Sequence, residues 1–371
     1  MFKIIIHETS IKVSESNVSL LFFIFDLKKY ESGEVMEKQR FRGWLIGGGI
    51  ILFVSILVYS SMGYMKLPIG DVFKIIFNIN DPAIGETHAF IINEVRLPRI
   101  IVSMVAGAAL SLSGLVFQGV LLNPLADPYT LGISAGASFG AALGIILGAS
   151  FLGVFTVPFL AFIFSLLSLY TVMKMASFSG KINSISLILS GVIVGSFFSA
   201  GLSFTKYIAG DDVASIVFWL MGSFSSKTWP EAYILGGITL IGILIFLYYG
   251  DELNIITLGE KNAIAMGVDT NRVRRILLVT ASIISAVAVS VCGIIGFVGL
   301  IVPHLMRFLV GTDNKKLTLI CAVWGAIILS AADNLVRAVL PNEIPIGIMT
   351  ALLGAPFFAF IFRNKLKGGR L

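Results

Sequence analysis

The chain has 371 residues, of which 57% are hydrophobic and only 13% charged. A soluble domain carries roughly 25% charged residues, so this chain cannot solvate a globule of its own size. The formal net charge of +6 does not mark a nucleic-acid surface. The basic residues sit in short loops between apolar runs of about twenty residues, the length that spans a bilayer.

The first 43 residues read as a cytoplasmic extension. Their one apolar run, Leu20 to Phe25, is too short to span and has acidic neighbours, which argues against a signal peptide. Met36 is followed by Glu-Lys-Gln-Arg-Phe-Arg and then a clean apolar run. Either Met36 is therefore the true start or residues 1–35 are a loose cytoplasmic extension.

Apolar runs then predict ten spans, at 44–64, 100–122, 131–149, 155–175, 185–205, 232–249, 276–293, 298–310, 317–335 and 346–362. The expected fold is an all-α polytopic membrane domain over 44–365, with a cytoplasmic tail over 366–371. With the N-terminus inside, inner loops from residue 36 onward hold about fifteen Lys and Arg and outer ones about seven. The inner set includes Arg40, Arg42, Lys174, Lys181, Arg272, Arg275, Lys315 and Lys365. Both termini are therefore expected in the cytoplasm.

Glycine is patterned within these spans. Gly132, Gly136, Gly140, Gly144 and Gly148 recur every fourth residue in the third, and Ser103, Gly107 and Ser111 do likewise in the second. Such a groove lets another backbone come close, and it serves either tight helix packing or a helix that lines a path. Ala109 to Pro124 also echoes Ala288 to Pro303 without gaps. The copies lie in the second and seventh spans, an odd number of steps apart, so they would face opposite ways, as in the inverted repeats of transporters.

No catalytic constellation is visible. His7, His88 and His304 are far apart, and Cys292 and Cys321 lie singly in apolar runs, so neither a metal site nor a disulfide is expected. The nearest approach to a Walker A loop ends in Lys227-Thr228 but has Met221 and Ser226 where glycines belong. The chain is thus not expected to hydrolyse ATP itself. An ion-coupled carrier would place acidic or histidine side chains at mid-membrane, and Asp333, near the end of a span, is the clearest acidic candidate. A membrane enzyme would need a nucleophile facing a base, and none is evident.

Four blocks carry a resemblance. Residues 96–140 read RLPRIIVSMVAGAALSLSGLVFQGVLLNPLADPYTLGISAGASFG, and residues 296–317 read GFVGLIVPHLMRFLVGTDNKKL. Between these two, ELNIITLGEKNAIAMGVD occupies 252–269, and residues 342–363 read NEIPIGIMTALLGAPFFAFIFR. With the blocks in this order the chain closely resembles FecCD-family ABC importer permeases, which take up iron-siderophores, haem and vitamin B12. The resemblance covers roughly 42–365. It implies the type II importer fold, cargo such as an iron-siderophore or related metal chelate, and a second copy or related permease. It also implies an extracellular or periplasmic binding protein and a separate cytoplasmic ATPase that binds the ATP, with no cofactor in this chain.

The resemblance also assigns sites. Arg96 and Arg99, flanking Pro98, and Arg337 would grip acidic lobes of the binding protein. The alternative is interfacial snorkelling, and Asp333 on the same helix face could neutralise Arg337 instead. Asn123 and Leu125, with Ser184 and Ile185 in a second turn, would form the cytoplasmic gate, or simply end their helices. Ile185 departs from a family gate that is small and polar. Leu258, Gly259, Glu260, Ala263, Met266 and Gly267 would form two short helices joined at Gly259, which seat in the ATPase. A solvated loop is the alternative, although its apolar residues would then lack a partner.

Overall fold

The computed structural model describes residues 15–63, 65–79, 85–148, 151–177, 184–339 and 344–367, and among them there are helices and turns but no strand. The chain runs through α1 (Glu15–Ser61), α2 (Ile69–Ile76) and α3 (Glu86–Phe90), then α4 (Leu97–Leu121). A 3-10 turn at Pro128–Leu131 precedes α5 (Ile133–Ile146), α6 (Thr156–Ala176), α7 (Ser184–Ile208) and α8 (Val213–Leu220). Then come α9 (Trp229–Tyr248), α10 (Gly250–Thr257), α11 (Glu260–Ala265), α12 (Thr270–Cys292), α13 (Val298–Val310), α14 (Asn314–Val339) and α15 (Ile346–Lys367). Each expected span has its helix. Among the described residues, seven stretches are long and apolar enough to cross a membrane, and α5, α13 and the apolar part of α15 are shorter. His7, Lys181 and the tail residues 368–371 lie outside the described residues.

Two starts differ from expectation. α1 begins at Glu15, so much of the presumed loose extension is helix continuous with the first span. No proline interrupts residues 15–61. The second span also begins early. Helix runs from Glu86 through Pro98 to Leu121, by way of a π-helical turn at Ile91–Arg96. The Leu97 N–H reaches back five residues to the Ile92 carbonyl. That wider turn accommodates the missing donor and the ring of Pro98 without breaking the helix.

α4 forms the axis of the bundle. From Ile100 to Leu121 nearly every residue is buried, whereas α1, α6, α7 and α9 keep wide apolar faces exposed. Lipid tails are as apolar as leucine, so helices here associate by close packing rather than by escaping water. Glycines supply that closeness. A Cβ at Gly107 would lie 2.2 Å from the Gly325 carbonyl oxygen, and one at Gly114 would lie 2.0 Å from that of Gly299. α14 and α13 therefore cross α4 at backbone contact. The glycine stripe of α5 is resolved in the same way. Gly136 and Gly140 face the backbone of α6, where a Cβ at either would lie 2.5 Å from a carbonyl oxygen. Tight packing is the role of this face.

The two echoing segments meet at the Gly114–Gly299 contact but differ in local form. The first is continuous helix to Leu121, and the second crosses the break between α12 and α13. The exceptions to full-length helix matter most for function. At about 1.5 Å per residue, α5 and α13 reach only about 20 Å, short of a hydrocarbon core of about 30 Å. Irregular chain at 122–127, the 3-10 turn at Pro128–Leu131 and irregular chain at 293–297 adjoin them.

Candidate functional site

The two non-helical stretches come together inside the bundle. The Tyr129 hydroxyl donates to the Ile295 carbonyl and accepts from the Ile295 N–H at 3.1 Å. Asp127 caps the 3-10 turn, accepting from the Tyr129 and Thr130 N–H groups at 3.0 and 3.1 Å. Ser168 and Ser165 of α6 donate to the Gly132 and Ile133 carbonyls. Irregular backbone at membrane depth survives only when its polar groups are satisfied in this way, or when it borders a watery cavity.

A cleft adjoins it here. It has a volume of about 550 Å³ and is walled by Tyr129, Thr130, Ser134, Gly191, Ser196 and Ser199 among others. A Cβ at Gly191 would lie 2.2 Å from the Thr130 carbonyl oxygen, so α7 seats directly on the 3-10 turn. Sequence reading missed this junction. Asp127 is hidden within a family motif, and the partner of Tyr129 lies 166 residues away.

At one rim the structure gathers the three expected arginines. Arg96 is 5% exposed and donates to the Ser60 and Met65 carbonyls at the end of α1. Arg99 makes a two-pronged ion pair with Asp333, at 3.0 and 2.9 Å, and the side chains are 12% and 7% exposed. Arg337 donates to the Tyr59 carbonyl and to Asn334 Oδ1. Asp333 thus pairs across the helix crossing with Arg99 of α4. The π-helical turn before Leu97 is what directs Arg96 toward α1.

At the opposite end, α10 and α11 are the two short helices expected from the sequence. Gly259 joins them with φ +105° and Gly267 leaves α11 with φ +83°, backbone that L side chains rarely adopt. Ala263 is buried, while Leu258, Ile264 and Met266 are 63%, 58% and 60% exposed. Glu260 pairs with Arg274 of α12 at 3.0 Å. An unforeseen clamp anchors the pair. Asn254 Oδ1 accepts from the Asn314 backbone and side chain, both at 2.8 Å, and Asn254 donates to Asp313 at 3.1 Å.

The residues expected at the gate lie at this same end. α4 closes through Leu122 at φ +51°, and Asn123 Oδ1 accepts from the Leu125 N–H at 2.9 Å. Leu125 is 46% exposed. Ser184 and Ile185 begin α7, with Ile185 72% exposed, and the loop before them, 178–183, lies outside the described residues. Just inside this end, the Arg307 guanidinium grips Gln118 Oε1, and Gln118 donates to the Gly299 carbonyl at 3.0 Å. That network ties α4 to α13.

A buried axial helix, a cleft beside irregular backbone and an exposed helix pair at one end fit the membrane-spanning permease subunit of an ABC importer. The FecCD transport family matches residues 51–364, and the chain belongs to this family. It is 39% identical over 343 residues to the uncharacterized ABC transporter permease protein YvrB of Bacillus subtilis (strain 168), covering 90% of this chain and 97% of that one. It is 39% identical over 282 residues to the cobalamin import system permease protein BtuC of Halobacterium salinarum, covering 76% of each. It is 33% identical over 321 residues to the hemin transport system permease protein HmuU of Yersinia pestis, covering 85% of this chain and 94% of that one. A solved structure of a metal-chelate type ABC transporter in an inward-facing conformation aligns with a TM-score of 0.77 at 34% identity, covering 86% of this chain and 98% of that one.

Proposed function

We propose that this chain, paired with a second copy, forms the path by which an importer passes a metal chelate into the cell. An iron-siderophore or similar complex is the favoured cargo; cobalamin or haem, carried by named relatives, is the alternative. The observation that carries this reading is the cleft beside the 3-10 turn. It lies beside irregular backbone that leads into the short helix α5, an arrangement found at transporter substrate sites. An ion-coupled carrier fits less well, because Asp333 is committed to Arg99 at the rim and Asp127 to capping its own turn.

ATP is bound and hydrolysed by a separate subunit, which seats on α10 and α11. Three exposed apolar side chains on a polar end of the molecule are what a protein cleft would cover. The loop-charge asymmetry puts this end in the cytoplasm of a cell membrane, with both termini on that side. The opposite rim then receives the binding protein. Asn123, Leu125, Ser184 and Ile185 form the inner gate. Arg96, Arg99 and Arg337 shape the docking rim, chiefly by bracing α1, α4 and α14, since their donors are largely engaged within the chain.

The test is reconstitution of the permease with its ATPase and binding protein in liposomes. Uptake of a ferric hydroxamate or of cobalamin should require ATP and stop with vanadate. Uptake driven by an ion gradient without ATP would refute the proposal.

A further inference from the structure

Two long cations stand together at the α10–α11 end of the bundle with no acid to meet them. Lys174 lies in the last turn of α6 and Arg275 in the second turn of α12, and both are exposed. Neither forms an ion pair among the described residues. Other cations at this end do. Arg274 reaches Glu260, Lys315 reaches Asp251 and Lys316 reaches Asp313. Lys174 Nζ instead sits 6.0 Å from the centre of the Tyr170 ring, which is 64% exposed.

These cations mark the mouth of a groove between α6 and α12. Leu166, Leu169, Met173 and Val279 line its deeper part, and the whole has a volume of about 460 Å³. From Leu166 to Lys174 it follows α6 for about two turns, or about 12 Å. No Asp or Glu lines it. Ile163 and Leu167 are exposed on the same helix, as on a surface that faces lipid. The topogenic bias accounts for basic residues at this end. It does not account for two of them converging on an apolar slot. A free anion would use the cations and leave the slot empty, and a carboxylate on a protein partner would do the same. A phospholipid fills both parts.

We propose that this groove binds one anionic phospholipid from the membrane leaflet at this end. The phosphate would lie between Lys174 and Arg275, and an acyl chain would lie against Leu166, Leu169, Met173 and Val279. Basic pockets between membrane helices take anionic headgroups in this way. The Arg275 guanidinium can hold two phosphate oxygens with parallel hydrogen bonds, and Lys174 adds a compact charge. Tyr170 is suited to headgroup depth, with an apolar ring and a polar tip. The lipid would bridge α6 and α12 and stabilise the folded permease by mass action.

The experiment uses the full-length permease purified in detergent with its ATPase. It is titrated with phosphatidylglycerol, with phosphatidylcholine of the same chains and with glycerol 3-phosphate, and retained lipid is counted by native mass spectrometry. Wild type should hold one phosphatidylglycerol per chain in preference to phosphatidylcholine. K174Q/R275Q should hold it about thirtyfold more weakly, the loss expected from two basic contacts to an anionic headgroup. K38Q/R42Q removes the same charge from exposed positions on α1 and should bind as wild type does. Leu166→Trp should weaken retention with both cations in place, because it fills the slot. The glutamine substitutions are at exposed positions, so folding should survive them. Equal retention by wild type and K174Q/R275Q would overturn the site, and so would equal retention of the two lipids or an equal loss in K38Q/R42Q. Displacement of the lipid by millimolar glycerol 3-phosphate would reduce it to a phosphate site and refute the lipid. Loss of the ATPase from K174Q/R275Q with lipid retention unchanged would assign the groove to that partner instead. All of these readings are made in detergent, so they stand whichever side of the membrane this end faces.

Discussion

Asp333→Ala tests whether the rim arginines act within the chain. The carboxylate accepts two hydrogen bonds from Arg99, at 3.0 and 2.9 Å, and both side chains are nearly buried. Removing one partner of a buried pair costs about 3–5 kcal/mol, because the other charge loses its compensation. The pair lies at the end of the helices, where water can approach, so the lower figure applies. About 3 kcal/mol is roughly a hundredfold in the unfolding equilibrium. Replacing both residues with leucine should be much milder, since no buried charge is then left behind. Chemical denaturation of detergent-purified Asp333→Leu, Arg99→Leu and the double variant gives a double-mutant cycle, with an expected coupling of about 1–3 kcal/mol. Binding-protein affinity measured on the folded fraction should change little and should depend weakly on salt, because a buried pair is poorly screened. Additive, near-neutral single variants would refute the brace. So would a folded Arg99→Leu protein that keeps its stability and loses only receptor affinity.

The helix crossings give a second test. Gly107→Ala or Gly325→Ala should destabilise by about 1–3 kcal/mol through overpacking, whereas Gly236→Ala, with open space around it, should be neutral or slightly stabilising in the same denaturation assay. Gly259→Val and Gly267→Val force a branched residue into left-handed backbone. They should cut ATPase co-purification and uptake together while leaving binding-protein docking intact, and normal uptake would remove α10 and α11 from the coupling role. Tyr129→Phe removes the hydroxyl that satisfies both backbone groups of Ile295 and should cost about 1–3 kcal/mol in denaturation. Reporter fusions after Asp211 should read outside, and fusions after Asn314 and at the C-terminus inside; one reversal breaks the proposed orientation.

The spans were legible because a hydrocarbon core forces long apolar runs, and ten such runs stand in the sequence. The α10–α11 turn was legible too, since Gly259 and Gly267 stand among short apolar groups with polar neighbours. What stayed hidden depends on side chains distant in sequence. Nothing near Arg99 names Asp333 as its partner, 234 residues on, and nothing near Tyr129 names Ile295. Pro98 misled in a different way. Read locally it starts a helix, but a π-helical turn carries the helix through it. The α5 glycines were ambiguous for a third reason, because a groove for a neighbouring helix and a wall for a path require the same small residues.

The pieces combine into a mechanical constraint. α4 and α14 are joined three times along their length. Arg99 and Asp333 tie them at the rim, Gly107 and Gly325 interlock at mid-depth, and α10 bridges them at the other end. There Leu253 lies against Gly119 of α4, and Asn254 clamps Asp313 and Asn314 at the start of α14. Two helices fixed at top, middle and bottom cannot slide past one another, so a displacement of α10 would move them as one bar. Packed helices transmit such motion rather than absorb it. The change of shape must then fall where the backbone is not helical. Two such places, 122–132 and 293–297, are pinned together at Tyr129 and Ile295 beside the cleft. A push on the exposed helix pair would therefore be expressed at the cleft wall.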